Sequence, residues 1–300
     1  MGVDGSGTSE RALQWAAREA ELAEAVLDVV HAWLPVYPLA ARDLFDDQAL
    51  LEDAAHHQLL DAVARVRSDV PGLTRVRERL ELEHPATALL AAAEGADLLV
   101  VGTRGRGGFA GLLLGSVSQR CLTHAPCPVA IVPPSSDGDP ASGRFVVGVD
   151  GSPASYDALG WAATEARRRS AHLDLVHAWV IPELLVPTGA VFVGEAEELE
   201  RASTTVLDAA AAWLVTASEE DEATPPEHEL RSVAGSPAGA LLDQARDADL
   251  LVLGARGLGS FRGLLLGSVS QQCASHATCP TVVVRHSRPT IGEPDQRSER

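Results

Sequence analysis

The chain has 300 residues, 46% hydrophobic and 4% aromatic, with a formal net charge of −18. That length suits two domains of about 150 residues with cores built mainly from Ala, Val and Leu, and the acidic excess argues against nonspecific binding to nucleic acid or anionic membranes. All 24 basic residues are arginine, which excludes a Walker-type phosphate loop and Schiff-base chemistry, since both need lysine.

The chain opens on Met1-Gly-Val-Asp4, the end of a strand rather than a whole one. Ala12–Ala20 carries a helical pattern, and Val30-His-Ala-Trp33 reads as the next strand. Ala96-Asp-Leu-Leu-Val-Val-Gly102 is an apolar run typical of a strand buried on both faces. It leads into Gly102-Thr-Arg-Gly105, nine residues, and then Gly115-Ser116. Val129–Val132 is the last strand of this half. The stretch 134–143, rich in Pro, Gly and Ser, reads as a linker.

The same elements then return. Gly148-Val-Asp-Gly-Ser152, Ala158–Ala166 and Val176-His-Ala-Trp179 repeat the first copy at an offset of 146 residues. Arg144–Val149 precedes them as an apolar strand, and Ser152 or Ser155 can cap the helix that follows. A long helix is expected around 195–217, a strand near 227–233, a helix from about 237 to 246 and a strand over 249–254. Gly254-Ala-Arg-Gly257, nine residues and Gly267-Ser268 repeat the glycine pattern at an offset of 152. The six extra residues fit the acidic stretch Ser218–Pro226, read as a surface loop. A helix from about Ser268, a strand over 280–285 and a frayed tail at 287–300 complete the chain. The expected domains are 1–133 and 144–286.

Strand–helix alternation with continuous apolar strands implies an α/β fold, a parallel sheet with helices on both faces. Ligands of such sheets bind beyond the carboxyl ends of the strands, where Asp150 and Gly254 would meet. Glycines there let backbone N–H groups approach an anion, which points to a nucleotide or phosphate. Cys121, Cys127, Cys273 and Cys279 recur as Cys-x5-Cys, which is not a zinc or dithiol spacing, and read as buried thiols. His31 and His177 read as hydrogen-bonded core histidines, His124 and His276 as helix C-terminal caps. No signal-peptide pattern and no apolar run near 18 residues is present, so a cytoplasmic protein is expected.

Together, Gly-x2-Gly-x9-Gly-Ser in both copies, Gly-Val-Asp-Gly-Ser, His-Ala-Trp, Cys-Pro before a Val-rich strand and Gly235-Ser-Pro237 resemble the universal stress protein family, as a tandem of two domains. The resemblance implies two Rossmann-like domains of the adenine nucleotide alpha hydrolase type. Each would be an open parallel five-stranded sheet of order 3-2-1-4-5. It implies ATP as ligand, with or without Mg2+, and a stress-response role exercised by binding rather than fast turnover. Asp150 and Asp4 would lie against the nucleoside, and the backbones of Ala178 and Ala32 would face adenine. Gly254, Gly257, Gly267 and Ser268 would surround ribose and phosphates, as would Gly102, Gly105, Gly115 and Ser116. Ser270 and Ser118 would add hydroxyls to a phosphate. The two domains would form an intramolecular pseudo-dimer by pairing Val129–Val132 with Thr281–Val284, with a homodimer as a further option.

Two other readings compete. One is an interaction module without nucleotide. The other is an adenylating or ATP-hydrolysing enzyme, but Val149-Asp-Gly-Ser152 does not supply the phosphate loop that such enzymes carry after strand one. The first copy departs from the second in two places. It lacks most of strand one, so either the true start lies upstream or something else fills the gap. It also has Glu83-His-Pro85 in place of Gly235-Ser-Pro237.

Overall fold

A computed structural model describes residues 1–34, 48–105, 113–135, 142–180, 193–258 and 265–285. The first half runs β1 (Gly2–Val3), α1 (Gly7–Leu22), β2 (Leu27–Ala32), α2 (Gln48–Asp69), β3 (Val76–Glu81), α3 (Pro85–Ala92), β4 (Leu99–Gly102), α4 (Ser116–His124) and β5 (Val129–Val132). The second runs β6 (Arg144–Gly148), α5 (Pro153–Arg169), β7 (His172–Trp179), α6 (Val193–Glu220), β8 (His228–Ala234), α7 (Pro237–Gln244), β9 (Leu250–Gly254), α8 (Ser268–His276) and β10 (Thr281–Val284).

Helix starts follow local chemistry. Ser152 takes the N-cap of α5 and accepts from the Ser155 N–H at 3.2 Å, with Pro153 opening the helix. Ser6 does the same for α1 through Ser9, also at 3.2 Å. The strands of the second half lie in the order β8-β7-β6-β9-β10, every neighbour parallel. Phe145, Val146 and Val147 of β6 are completely buried at the centre of that sheet.

The first half differs at one ladder. β1 pairs with β2, matching Gly2 to Val30 and Val3 to His31, and β2 pairs with β3. β4 pairs with β5. No described strand joins β1 to β4, so the sheet divides there. Five residues let β6 pair on both sides; two residues leave β1 attached to β2 alone.

The halves are joined by β5 and β10, which pair antiparallel with Thr281 opposite Ile131 and Val283 opposite Val129. This is the seam expected from Val129–Val132 and Thr281–Val284. It makes β4 through β8 one seven-stranded sheet and covers two apolar edges. Hydrophobic clusters cross it on both faces: Ala130 and Val132 pack in the same core as Val252, Val282 and Val284, and Val129 and Ile131 in another with Ala274 and Val283. Arg169 pairs with Glu19 across the halves, and the Arg285 guanidinium donates to the Leu122 carbonyl at 2.7 Å.

The acidic stretch starts later than the sequence suggested. α6 continues through Glu220, and Ser218 is buried, donating its hydroxyl to the Leu214 carbonyl at 2.7 Å. Leu207, Ala210, Leu214 and Ser218 fall three or four residues apart, so all face the core and the helix extends past the expected boundary. Residues 136–141 of the linker and the tail 286–300 lie outside the described residues. All four cysteines are free and buried. Burial pushes the Cys121, Cys273 and Cys279 thiols up to about 12, and Cys127 in the same direction.

Candidate functional site

The site of the second half forms where β6, β7 and β9 end. Gly151, at φ +80, turns the chain from Asp150 into α5. Both oxygens of Asp150 are held by backbone: Oδ1 accepts from the Ser152 N–H at 3.0 Å and Oδ2 from the Leu258 N–H at 2.9 Å. A β-carbon on Gly257 would stand 2.2 Å from that Oδ2, so glycine is what lets the loop after β9 close over the carboxylate. A β-carbon on Gly254 would lie 2.6 Å from the Ala154 backbone, where α5 packs across the strand end.

Gly267 has a different role. Its N–H donates to the Ala255 carbonyl at 2.8 Å, and it caps α8 without a side chain. A β-carbon there would meet nothing nearer than 3.4 Å. The first N–H groups of a helix have no partner within it. With a glycine cap, those of Ser268, Val269 and Ser270 form a positive helix end suited to an anion. The Ser270 hydroxyl donates to the Gly254 carbonyl at 2.7 Å, tying α8 to β9. Its hydrogen is therefore engaged, and its oxygen lone pairs are what remains for another donor.

These residues line one pocket of about 290 Å³. It brings together Asp150, Ala178, Gly254, Gly257, Gly267, Ser268 and Ser270, all seven positions singled out in this half. Val176, Leu241 and Leu253 supply apolar wall; His177, Ser155 and Arg256 add polar groups. Of these, Leu241 and Leu253 were not singled out from sequence. Leu241 was reachable, since it follows Pro237 by one helical turn. Ser155 was read only as a cap.

His177 borders the pocket through a hydrogen-bonded chain. Its Nδ1 lies 2.8 Å from the Ser203 hydroxyl, Ser232 donates to Ser203 at 2.8 Å, and the Trp179 indole donates to Ser232 at 3.0 Å. Burial lowers the His177 pKa, against a smaller upward pull from the Asp150 carboxylate. The ring is thus neutral near pH 7. His124 and His276 each bond the carbonyl four residues back, at 3.1 and 2.9 Å, at the ends of α4 and α8.

The first half repeats much of this. Asp4 Oδ1 accepts from the Ser6 N–H at 3.0 Å and the Ser6 hydroxyl at 2.7 Å. A β-carbon on Gly105 would stand 2.2 Å from Asp4 Oδ2, and one on Gly102 would lie 3.1 Å from the Thr8 carbonyl oxygen. Gly115 donates to the Thr103 carbonyl at 2.7 Å and caps α4, which Ser116 opens. Ser118 donates to the Gly102 carbonyl at 2.7 Å, and Ala32 ends β2.

Two features differ. His31 is buried with Nδ1 2.8 Å from the Val3 carbonyl oxygen, where His177 has a serine. Gly235 takes φ +151, a glycine conformation, whereas Glu83 has no positive φ, so the turn into α3 follows another path. Residues 106–112 and 259–264, inside the two nine-residue spacers, lie outside the described residues.

Away from the pocket, His172, Asp174 and Glu229 come within 4.8 Å of one another. Asp174 is fully buried and held by Arg144 at 2.7 Å and Arg231 at 3.0 Å. That arrangement is an ion-pair network rather than a cation site. No helix among the described residues is long and apolar enough to cross a membrane.

A model of the universal stress protein family matches residues 1–133 and again 142–285. A universal stress protein of Mycolicibacterium smegmatis is 36% identical over 296 residues, covering 95% of this chain and 96% of that protein. The crystal structure of a universal stress protein from Archaeoglobus fulgidus shares the fold, with a TM-score of 0.64 at 18% identity over 95% of this chain and 97% of its own. A universal stress protein solved in complex with cAMP is 32% identical, with a TM-score of 0.35, and covers 44% of this chain and 93% of its own. Matched once in each half, the chain belongs to the universal stress protein family as a tandem of two such domains.

Proposed function

We propose that the pocket at the ends of β6, β7 and β9 binds an adenine nucleotide, ATP among its ligands. The chain then acts in a stress response through nucleotide occupancy rather than turnover. The observation that carries this reading is the open N-terminus of α8 set beside an apolar pocket and the fixed carboxylate of Asp150. At about 290 Å³ the pocket is at the small end of ligand sites. That suits a nucleoside inside, with phosphates over the helix end.

Adenine lies against the backbone of Ala178 and the walls from Val176 and Leu241. Asp150 faces the ribose. Gly254, Gly257, Gly267 and Ser268 give the phosphates close backbone approach. Ser270 supports the site by bracing α8 against Gly254. Asp150 has both oxygens taken by backbone N–H groups, so a Mg2+ ion would be carried by the phosphates of ATP. Asp4, Ala32, Gly102, Gly105, Gly115, Ser116 and Ser118 form the corresponding set of the first half. Binding without fast hydrolysis fits the neutral His177, which is bonded to Ser203 rather than placed as a base. A cytoplasmic setting keeps the four thiols reduced.

Displacement of a fluorescent adenine nucleotide by ATP, AMP, cAMP and adenosine tests the reading. ATP and AMP should displace it at least about tenfold more tightly than adenosine, through charge-assisted bonds to the helix end. Equal competition by adenosine would remove the phosphate site; no binding at all would favour the interaction-module reading.

A further inference from the structure

In the second half, Asp150 and His177 come together where two neighbouring strands end. The Val149 N–H donates to the Val176 carbonyl at 2.9 Å, and Asp150 and His177 are the next residue on each side. Both line the pocket, and the carboxylate is near enough for its charge to act on the ring.

The hydrogen bonds behind His177 run in one sense. An indole nitrogen can only donate, and that of Trp179 donates to the Ser232 hydroxyl at 3.0 Å. Ser232 donates in turn to Ser203 at 2.8 Å. Ser203 is buried on α6, and its one hydrogen goes to His177 Nδ1 at 2.8 Å. Nδ1 is therefore an acceptor, and the neutral ring carries its hydrogen on Nε2. With Nδ1 turned to α6, the Nε2–H is the polar group that the ring has left for the pocket. His31, in the same His-Ala-Trp motif of the first half, is set the other way. Its Nδ1 lies 2.8 Å from the Val3 carbonyl oxygen, which only accepts, so the hydrogen sits on Nδ1 and Nε2 is bare when the ring is neutral.

We propose that His177 is a specificity-determining residue of the second half, its Nε2–H donating to a ribose hydroxyl whose own hydrogen goes to Asp150. This rests on the adenine nucleotide reading given above. A hydroxyl accepts and donates at once, so it fits a donor set beside an acceptor-only carboxylate. The Ser152 and Leu258 N–H groups hold the Asp150 carboxylate in place, and each of its oxygens can accept a second hydrogen. Ser203 and Ser232 are positioning residues, because they keep the ring hydrogen on Nε2. A ligand lacking the hydroxyl would leave the N–H and the carboxylate facing each other across the pocket without their shared partner. The site thus selects a ribonucleotide over a deoxyribonucleotide, and the tautomer of His31 denies the first half the same donor.

The test uses the full chain carrying Gly105→Val, whose side chain presses on Asp4 and removes the first half from the measurement. A bound fluorescent adenine nucleotide is displaced by ATP, 2′-deoxy-ATP and 3′-deoxy-ATP. The proposal expects one deoxy form to bind at least about tenfold more weakly than ATP. His177→Phe keeps a ring without the donor and should shrink that gap to less than about threefold. His177→Gln, whose amide donates, should restore part of it. Nuclear magnetic resonance of the parent chain with isotope-labelled histidine, at about pH 8 where the rings are neutral, reads the tautomers directly. His177 should carry its hydrogen on Nε2 and His31 on Nδ1, and Ser203→Ala should release the preference at His177. ATP binding matched by both deoxy forms would overturn the proposal and leave the nucleotide reading standing; no displacement by ATP would defeat both. A hydrogen on Nδ1 of His177, or an undiminished gap in His177→Phe, would also overturn the proposal.

Discussion

The glycines of the doubled motif do three different jobs, and substitution separates them. A side chain at Gly257 must displace the Asp150 carboxylate from the Leu258 N–H. Gly257→Val should therefore weaken adenine nucleotide binding at least about tenfold while leaving the melting temperature within a few degrees. Gly254→Ala forces a β-carbon into the Ala154 backbone and should cost about 1–3 kcal/mol of stability in denaturant titration. Gly267→Ala has room and should change stability by less than about 1 kcal/mol. The spacing of these glycines was legible in the sequence, and Asp150, Ala178 and Ser270 came from the family resemblance; in the second half all seven of these positions line one pocket. Their individual causes were not legible. The backbone of Ala154 and the carboxylate of Asp150, which forbid a β-carbon, are more than 90 residues away in the chain.

At the scale of elements, α6 and β1 mark what patterning shows and what it hides. Ser218 reads as a loop residue by composition, yet its spacing from Leu214 places it on the buried face, where it bonds that residue's carbonyl. The shortness of β1 was plain from Met1-Gly-Val-Asp4. What only the fold shows is that β1 keeps its ladder to β2 and that the sheet opens toward β4.

At the scale of the molecule, the repeat made both halves readable, and the family resemblance implied the seam between Val129–Val132 and Thr281–Val284 that the structure forms. Val282 sits there completely buried, between β9 and β5. Val282→Asp should cost at least about 3 kcal/mol and loosen both halves together, seen as a loss of cooperativity in thermal melting. The thiols behind the last strands are raised to about 12. They should react with a thiol reagent at least about a hundredfold more slowly in the native chain than in denaturant.

Isothermal titration of the whole chain with ATP, run alongside Gly257→Val, tests the central claim most directly. The account predicts saturable binding by the parent chain and, in the Gly257→Val variant with its fold intact, binding weakened at least about tenfold at one equivalent per chain. Unchanged stoichiometry and affinity in that variant would contradict it.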